Sequence, residues 1–155
     1  EKSPLNECVD LAIKMVSPKA EVKNLSLIYQ SNSQINIFGD KHAIGRAIIN
    51  LLSNAVKFTS IGGNISCIID LETSGDVKIT ITDNGFGIPK DRLKDVLKPF
   101  EQSNSNHELN EEGTGLGLPI VLHLINFHDG NFDLNSEEGI GTTATITLPN
   151  KRVCV

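Results

Sequence analysis

Tryptophan is absent from the 155-residue sequence and aromatic residues make up only 5% of it, so an apolar core has to be aliphatic. The three cysteines, Cys8, Cys67 and Cys154, are odd in number and widely spaced, and no C-x-x-C pair occurs. This spacing argues against a zinc site and against a disulfide framework. Basic residues are also few: 14 Lys and Arg against 19 Asp and Glu give a formal net charge of −5. Because phosphate neutralisation needs clustered Lys and Arg, nucleic acid is not an expected partner.

Long hydrophobic runs are missing as well. The longest mostly apolar stretch, 116–127, is interrupted by Pro119, His123 and Asn126 and is too short and too polar to cross a bilayer. The first residues, Glu-Lys-Ser-Pro, do not form a signal peptide. With 39% hydrophobic and 21% charged residues, the composition predicts one soluble domain with reduced thiols, cytoplasmic and without membrane contact of its own. We expect it to be a fragment of a longer protein.

Hydrophobic periodicity predicts helices and strands that do not alternate strictly, which favours the α+β class, with helices on one face of a mostly antiparallel sheet. Between two of these elements, 98–112 is rich in Ser, Asn, Glu and Gln and has no periodicity. A loop of this length is typical of a functional lid, although a plain surface loop is the alternative. The expected helices are 5–20, 41–57, 91–97 and 116–128, and the expected strands are 25–29, 35–38, 65–71, 77–83, 132–134 and 142–148.

The helix predicted over 41–57 carries a polar stripe opposite its apolar face. Asn50, Asn54 and Lys57 lie at i, i+4 and i+7, within an arc of about 60°. Taken alone, such a stripe is more often a solvated face. The same groups also suit a triphosphate with its metal, because amide oxygens are hard ligands for Mg²⁺ and Lys is a point charge for phosphate.

The strand predicted over 77–83 ends on a carboxylate. Asp83 continues the apolar face of the strand, and an inward carboxylate is costly unless backbone amides or a ligand donor satisfy it. Gly85 and Gly87 follow and allow a sharp turn and close approach of a flat ligand, for which an adenine amino group is the natural donor. Thr142, on the inner face of the last predicted strand, is expected at the same end as Asp83.

A second glycine-rich segment, Gly-Thr-Gly-Leu-Gly-Leu at 113–118, opens the helix predicted over 116–128. Glycines before a helix present backbone N–H groups to an anion, and the helix N-terminus adds its dipole. The segment is neither a Walker-type loop nor a clear dinucleotide-binding fingerprint, since no strand precedes it.

Five segments in order resemble the ATP-binding catalytic domain of sensor histidine kinases, in the superfamily of gyrase, the heat-shock chaperone ATPase and mismatch-repair ATPases. The similarity covers nearly the whole chain, 1–155. It implies a two-layer α/β sandwich (a Bergerat-type fold) with a mixed sheet behind three main helices, and ATP held under a lid at about 98–113. The matching segments are the asparagine box at 50–59, the first glycine box at 83–88, the phenylalanine box at 98–102, the second glycine box at 113–118 and the closing strand at 139–149.

The resemblance also implies a role for each matching residue. Asn54 would bind Mg²⁺, with Asn50 near the metal or the phosphates, and Lys57 would contact phosphate; these three form the expected catalytic set. The adenine end would be formed by Phe58, Asp83, Gly85, Gly87, Ile88, Leu118 and Thr142. The triphosphate would lie along Gly113, Thr114, Gly115, Leu116 and Gly117, and Phe100 would report the position of the lid.

The resemblance implies a protein-histidine kinase of a two-component phosphorelay that donates the γ-phosphate of Mg-ATP. Hydrolytic members have a Glu at the position of Asn50, and an amide cannot act as a general base, which argues for phosphoryl transfer over hydrolysis. His42, His107, His123 and His128 are not in a long dimerisation helix, and ordinary surface or packing roles are expected for them. The acceptor is therefore expected in a dimerisation domain upstream, within a homodimer that serves a response regulator.

The predicted lid departs from the family pattern. Where relatives often have Arg or Lys, this chain has Glu108, Glu111 and Glu112, whose charge would repel a triphosphate unless it faces water. The departure leaves a second hypothesis open, a non-catalytic nucleotide-dependent interaction module. An ATPase or serine kinase of the same superfamily is a third.

Overall fold

The computed structural model describes residues 1–97 and 117–155, which form helices and strands in a mixed order. The helices are α1 (Leu5–Val22), α2 (Lys41–Phe58), α3 (Lys90–Leu93) and α4 (Gly117–Phe127). The strands are β1 (Lys2–Pro4), β2 (Ser26–Ser31), β3 (Asn36–Phe38), β4 (Asn64–Leu71), β5 (Val77–Asp83), β6 (Asn131–Glu137), β7 (Gly141–Leu148) and β8 (Val153–Cys154). Single 3₁₀ turns occupy Asp95–Leu97 and Asn150–Arg152.

The main sheet has five strands in the order β2-β4-β5-β7-β6. The β2–β4 pair is parallel and the other pairs are antiparallel. Side chains alternate between two faces, so that Ile79, Ile81 and Ile146 are buried while Thr80 and Thr145 on the opposite face are partly exposed. A mixed, mostly antiparallel sheet with one buried face confirms the predicted α+β class.

Helices α1, α2 and α4 cover the buried face of the sheet. Helix α2 lies between the other two and packs against both. Its apolar stripe is buried as its periodicity predicts: Ile44, Ile48 and Leu52 are fully inaccessible to solvent. The polar stripe of α2 is consequently turned away from the core and is partly exposed.

A second, smaller sheet was not predicted from the sequence. Strand β3 pairs with β1 and with β8, both antiparallel, and not with the main sheet. The strands β1 and β8 have three and two residues, which is too short for a period of two to be visible. The predicted helix over 91–97 was too long, because only Lys90–Leu93 is α-helical before the 3₁₀ turn.

The two ends of α2 are fixed by different contacts. At the start, the Asp40 carboxylate caps the helix by accepting hydrogen bonds from the backbone N–H groups of His42 at 2.8 Å and Ala43 at 3.2 Å. At the other end, the hydroxyl of buried Thr59 donates to the carbonyl of Ala55 at 2.6 Å. The helix is therefore anchored beyond both limits of its polar stripe.

Candidate functional site at the ends of α2 and β5 and the start of α4

The polar stripe of α2 forms one wall of the candidate site. Asn50, Asn54 and Lys57 are all partly exposed, on the side of the helix away from its buried face. The Lys57 ammonium lies 5.2 Å from the centre of the Phe58 ring, within the range of a cation–π contact. Two amides and a cation thus lie together on an accessible surface.

Asp83 forms the second wall, where β5 ends. Its Oδ1 accepts a hydrogen bond from the backbone N–H of Gly85 at 2.9 Å, and the backbone N–H of Thr142 also donates to the carboxylate. Burial raises the pKa of Asp83 above its ordinary value, against the opposing effect of these two donors. A partly desolvated carboxylate with spare acceptor capacity is suited to a ligand that brings its own donor.

The first glycine segment lies too close to its neighbours for side chains. A Cβ atom on buried Gly85 would collide with the carbonyl oxygen of Phe58, at the end of α2. Gly87 has a φ of +72°, and a Cβ atom there would collide with the carbonyl of Glu137 at the end of β6. Glycine is required at both positions, because the segment is clamped between α2 and the β6–β7 hairpin.

Backbone hydrogen bonds hold the same segment in register. The N–H of Phe86 donates to the carbonyl of Phe58 at 3.1 Å, and the carbonyl of Phe86 accepts from the N–H of Gly139 at 2.7 Å. The Asn84 side-chain oxygen accepts from the N–H of Asn64 at 2.8 Å. The last turn of α2, the turn after β5 and the β6–β7 hairpin are therefore one connected unit around Asp83.

Ser136 is a supporting residue that sequence reasoning missed. Its hydroxyl accepts from the N–H of Ile88 at 2.7 Å, lies 3.1 Å from the carbonyl of Gly141 and is 2.7 Å from the Thr142 hydroxyl. All three contacts are satisfied if Thr142 donates to Ser136 and Ser136 donates to Gly141. Only the register of the β6–β7 hairpin brings these side chains together, and no local sequence pattern shows it.

Thr142 supports Asp83 through its backbone and not through its side chain. The two residues are register partners in β5 and β7, at the same end of the sheet, as expected. The backbone N–H of Thr142, however, bonds to the carboxylate, while its hydroxyl bonds with Ser136.

The start of α4 forms the third wall, against the polar stripe of α2. A Cβ atom on Gly117 would lie 3.6 Å from Nδ2 and 3.9 Å from Oδ1 of Asn54, so the first residue of α4 faces that amide directly. A helix N-terminus carries partial positive charge and free N–H groups. Leu118 follows on the same turn and is partly buried.

Several expected site residues lie outside the residues that the structure describes. These are Gly113, Thr114, Gly115 and Leu116 of the second glycine segment, together with Phe100, His107 and the acidic residues of the predicted lid. Within the described ranges the structure brings together Asn54 with Gly117, and Phe58 with Asp83, Gly85, Gly87, Ile88 and Thr142.

The chemistry of the donors agrees with a metal that arrives together with phosphate. Within residues 1–97 and 117–155, no cluster of three or more His, Cys, Asp or Glu side chains could hold a metal ion. Mg²⁺ usually keeps several waters and binds through one or two protein oxygens plus substrate phosphates. The amide oxygens of Asn54 and Asn50 fit that kind of site.

Comparison with known proteins shows the family of the chain. Residues 39–152 match the family described as histidine kinase-, DNA gyrase B-, and HSP90-like ATPase. The chain belongs to this family. It is 37% identical over 152 residues, 96% of its length, to the non-motile and phage-resistance protein of Caulobacter vibrioides. It is 35% identical over 164 residues, 99% of its length, to the cell-division control histidine kinase PdhS of Brucella canis.

Solved structures of histidine kinases in this family have the same architecture. The mycobacterial sensor histidine kinase MprB is 27% identical with a TM-score of 0.83, over 96% of both chains. ShkA, solved as a full-length protein in complex with AMPPNP, has a TM-score of 0.81 at 24% identity, over 96% of this chain and 31% of its own, and shows the shared fold. The present chain spans 18% and 16% of the two curated relatives. It corresponds to the histidine kinase-type ATPase domain of such proteins.

The described histidines have the ordinary roles expected for them. His42 and His123 are exposed, whereas His128 is only 2% exposed. Its Nε2 accepts from the N–H of Asp40 at 3.0 Å and its Nδ1 lies 2.8 Å from the carbonyl of Leu124, which assigns the proton to Nδ1.

In the parts of the chain that the structure covers, no helix has the length and hydropathy needed to cross a membrane.

Proposed function

We propose that this domain binds Mg-ATP and donates its γ-phosphate to a histidine in a separate dimerisation and phosphoacceptor domain. The observation that supports this most strongly is the position of Gly117, where a Cβ atom would lie 3.6 Å from Nδ2 of Asn54. It joins a possible metal ligand to an anion-binding helix start at one end of the site. The carboxylate of Asp83, at the end of β5, marks the other end of the site.

The adenine end follows from the surroundings of Asp83. Its carboxylate would accept the adenine 6-amino group, and a guanine carbonyl at that position would meet an acceptor instead of a donor. Gly85 and Gly87 let the first glycine segment pack against α2 and the β6–β7 hairpin, which would hold Asp83 in place for the base. Phe58, Ile88 and Leu118 would contribute apolar contact area.

The phosphate end follows from α2 and α4. Asn54 would provide an amide oxygen to Mg²⁺, with Asn50 one turn away, and Lys57 would contact phosphate oxygens. The N–H groups at the start of α4, together with the 113–117 segment, would bind the triphosphate. The bound Mg²⁺ would neutralise developing charge on the phosphates; the protein's own residues would orient the chain of phosphates toward the acceptor.

Transfer is favoured over hydrolysis because Asn50 stands where a water-activating carboxylate would be needed. In the transfer step an imidazole nitrogen of the acceptor attacks the γ-phosphorus, an N–P bond forms and the bond to the β,γ-bridging oxygen breaks. ADP leaves with the electron pair. The acceptor is proposed to lie in the separate phosphoacceptor domain, and among the described histidines His128 is unsuited to the role because two hydrogen bonds occupy its ring nitrogens.

The relatives indicate the setting of this reaction. Both are several times longer than this chain, and the name of the Brucella relative describes it as a histidine kinase that controls cell division. We infer a cytoplasmic catalytic domain within a homodimeric two-component kinase that serves a response regulator. The acidic lid sequence supports a second candidate, a nucleotide-dependent interaction module without transfer activity.

Calorimetric titration with ATP, in the presence and absence of Mg²⁺, tests the proposal. Wild-type protein should bind ATP with magnesium-dependent affinity, and GTP much more weakly. The Gly45→Ala variant is a matched control, since a Cβ atom there would meet nothing within 4 Å and the position is outside the site. Absence of ATP binding by the wild-type protein would contradict both candidates, whereas binding without any transfer to an acceptor domain would favour the interaction module.

A further inference from the structure

A lysine outside the family motifs reaches the end of α2. Lys23 follows α1 directly, and its ammonium group donates to the carbonyl of Val56 at 2.8 Å and to the carbonyl of Lys57 at 3.1 Å. Its own backbone carbonyl accepts from the N–H of Gly62 at 2.9 Å, just beyond the helix. One residue therefore holds the last turn of α2 and the loop that follows it.

The position of this contact matters because of the charge at a helix end. The last carbonyls of a helix have no partner within the helix and carry partial negative charge. In α2 that end also carries Lys57 and Phe58, which the proposed function assigns to phosphate and adenine. The partial negative charge at a helix C-terminus opposes the binding of phosphate by residues located there. A cation bonded to the last carbonyls reduces this opposing charge.

The same turn is part of the frame around Asp83. The carbonyl of Phe58 accepts from the N–H of Phe86 and packs against Gly85. Because the Phe58 carbonyl keeps this bond without Lys23, loss of the Lys23 ammonium should act on Val56 and Lys57, at the phosphate end, more than on the first glycine segment.

We propose that Lys23 is a positioning residue for ATP binding, which fixes the last turn of α2 and offsets the negative end of that helix near the phosphates. This inference rests on the proposed function. Lys23 acts through Val56 and Lys57 and does not itself have to touch the nucleotide.

The test compares three variants of the whole chain. Lys23→Met keeps the aliphatic stem and removes the cation, and Lys23→Arg keeps the cation and its donors. Lys14→Met makes the same change of charge at an exposed position in the middle of α1. Titrations with Mg-ATP and with adenosine separate the phosphate end from the adenine end, and hydrogen exchange of the amides at 56–58 in the free protein reports the last turn directly.

Lys23→Met should weaken Mg-ATP binding by about five- to tenfold, change adenosine binding by less than about twofold, and accelerate exchange at 56–58. Lys23→Arg should restore Mg-ATP binding to within about twofold of wild type, and Lys14→Met should match wild type. Equal loss of ATP and adenosine affinity would show a merely structural role and overturn the inference. Unchanged Mg-ATP affinity in Lys23→Met would overturn it too, whereas a wild-type protein that binds no ATP would overturn the proposed function itself.

Discussion

Replacing Gly85 by alanine tests the packing of the adenine end most sharply. The new Cβ atom would collide with the Phe58 carbonyl oxygen and lie 2.9 Å from its carbonyl carbon and 3.0 Å from Asp83 Oδ1. Because backbone surrounds the position, the strand end or the last turn of α2 has to move. Overpacking of this kind costs about 1–3 kcal/mol, which corresponds to a fall in Tm of roughly 2–12 °C for a domain of this size.

Gly45→Ala is the matched control, and its expected change in the free energy of unfolding has the opposite sign. Gly45 lies inside α2 with open space around its Cβ position, so alanine improves helix propensity without a clash. We expect a gain of about 0.5–1 kcal/mol in the free energy of unfolding. The two substitutions add the same methyl group, and only the surroundings differ.

Thermal unfolding followed by circular dichroism, with Mg-ATP titration of each folded variant, measures both effects. Gly85→Ala should be less stable and should bind Mg-ATP about tenfold more weakly, because the shift displaces Asp83. Gly45→Ala should be more stable and bind normally. If Gly85→Ala unfolds at the wild-type temperature with wild-type affinity, the close contact between the first glycine segment and α2 is refuted.

Three further substitutions test other parts of the site and its frame. Asp83→Asn should weaken Mg-ATP binding by about ten- to a hundredfold in calorimetry, yet leave the free protein at least as stable at neutral pH. Burial raises the pKa of Asp83, so its contribution to stability falls as pH rises from the ordinary value of about 3.9 through the raised one. In a urea titration series across this pH range, the free energy of unfolding of the wild type should fall relative to that of Asp83→Asn as pH rises. Asn54→Ala should remove most of the magnesium dependence of ATP binding, and equal affinities with and without Mg²⁺ in the wild type would refute its role. His128→Ala should lower the free energy of unfolding by about 2–4 kcal/mol, since it leaves a cavity and an unpaired Asp40 N–H; wild-type stability in urea would contradict this.

The sequence predicts the parts of the site that depend on local period. The period of 3.6 residues places Asn50, Asn54 and Lys57 opposite the buried face of α2, and the structure confirms this arrangement. The period of two residues places Asp83 on the inner face of β5, where its carboxylate is partly buried. The main helices and the strands of the central sheet follow from the same periodicities, with small errors at their ends.

The remaining features depend on contacts between residues far apart in the chain. Lys23 meets the carbonyls of Val56 and Lys57 across more than thirty residues, and His128 meets Asp40 across 88. A lone lysine after a helix and a lone histidine at the end of another carry no local signal for such contacts. The small sheet of β1, β3 and β8 was missed for the same reason, since its short strands gain their partners only in the folded chain.

The central claim is phosphoryl transfer, and a reconstituted transfer reaction tests it most directly. The domain would be incubated with γ-labelled ATP, Mg²⁺ and the separately purified dimerisation and phosphoacceptor domain of its own full-length protein, with Asn54→Ala in parallel. We predict label on the acceptor that is stable to base and labile to acid, as expected of phosphohistidine, and that is lost with Asn54→Ala. Release of the label as free phosphate by this chain alone, abolished by Asn50→Ala, with no label on the acceptor, would contradict the account.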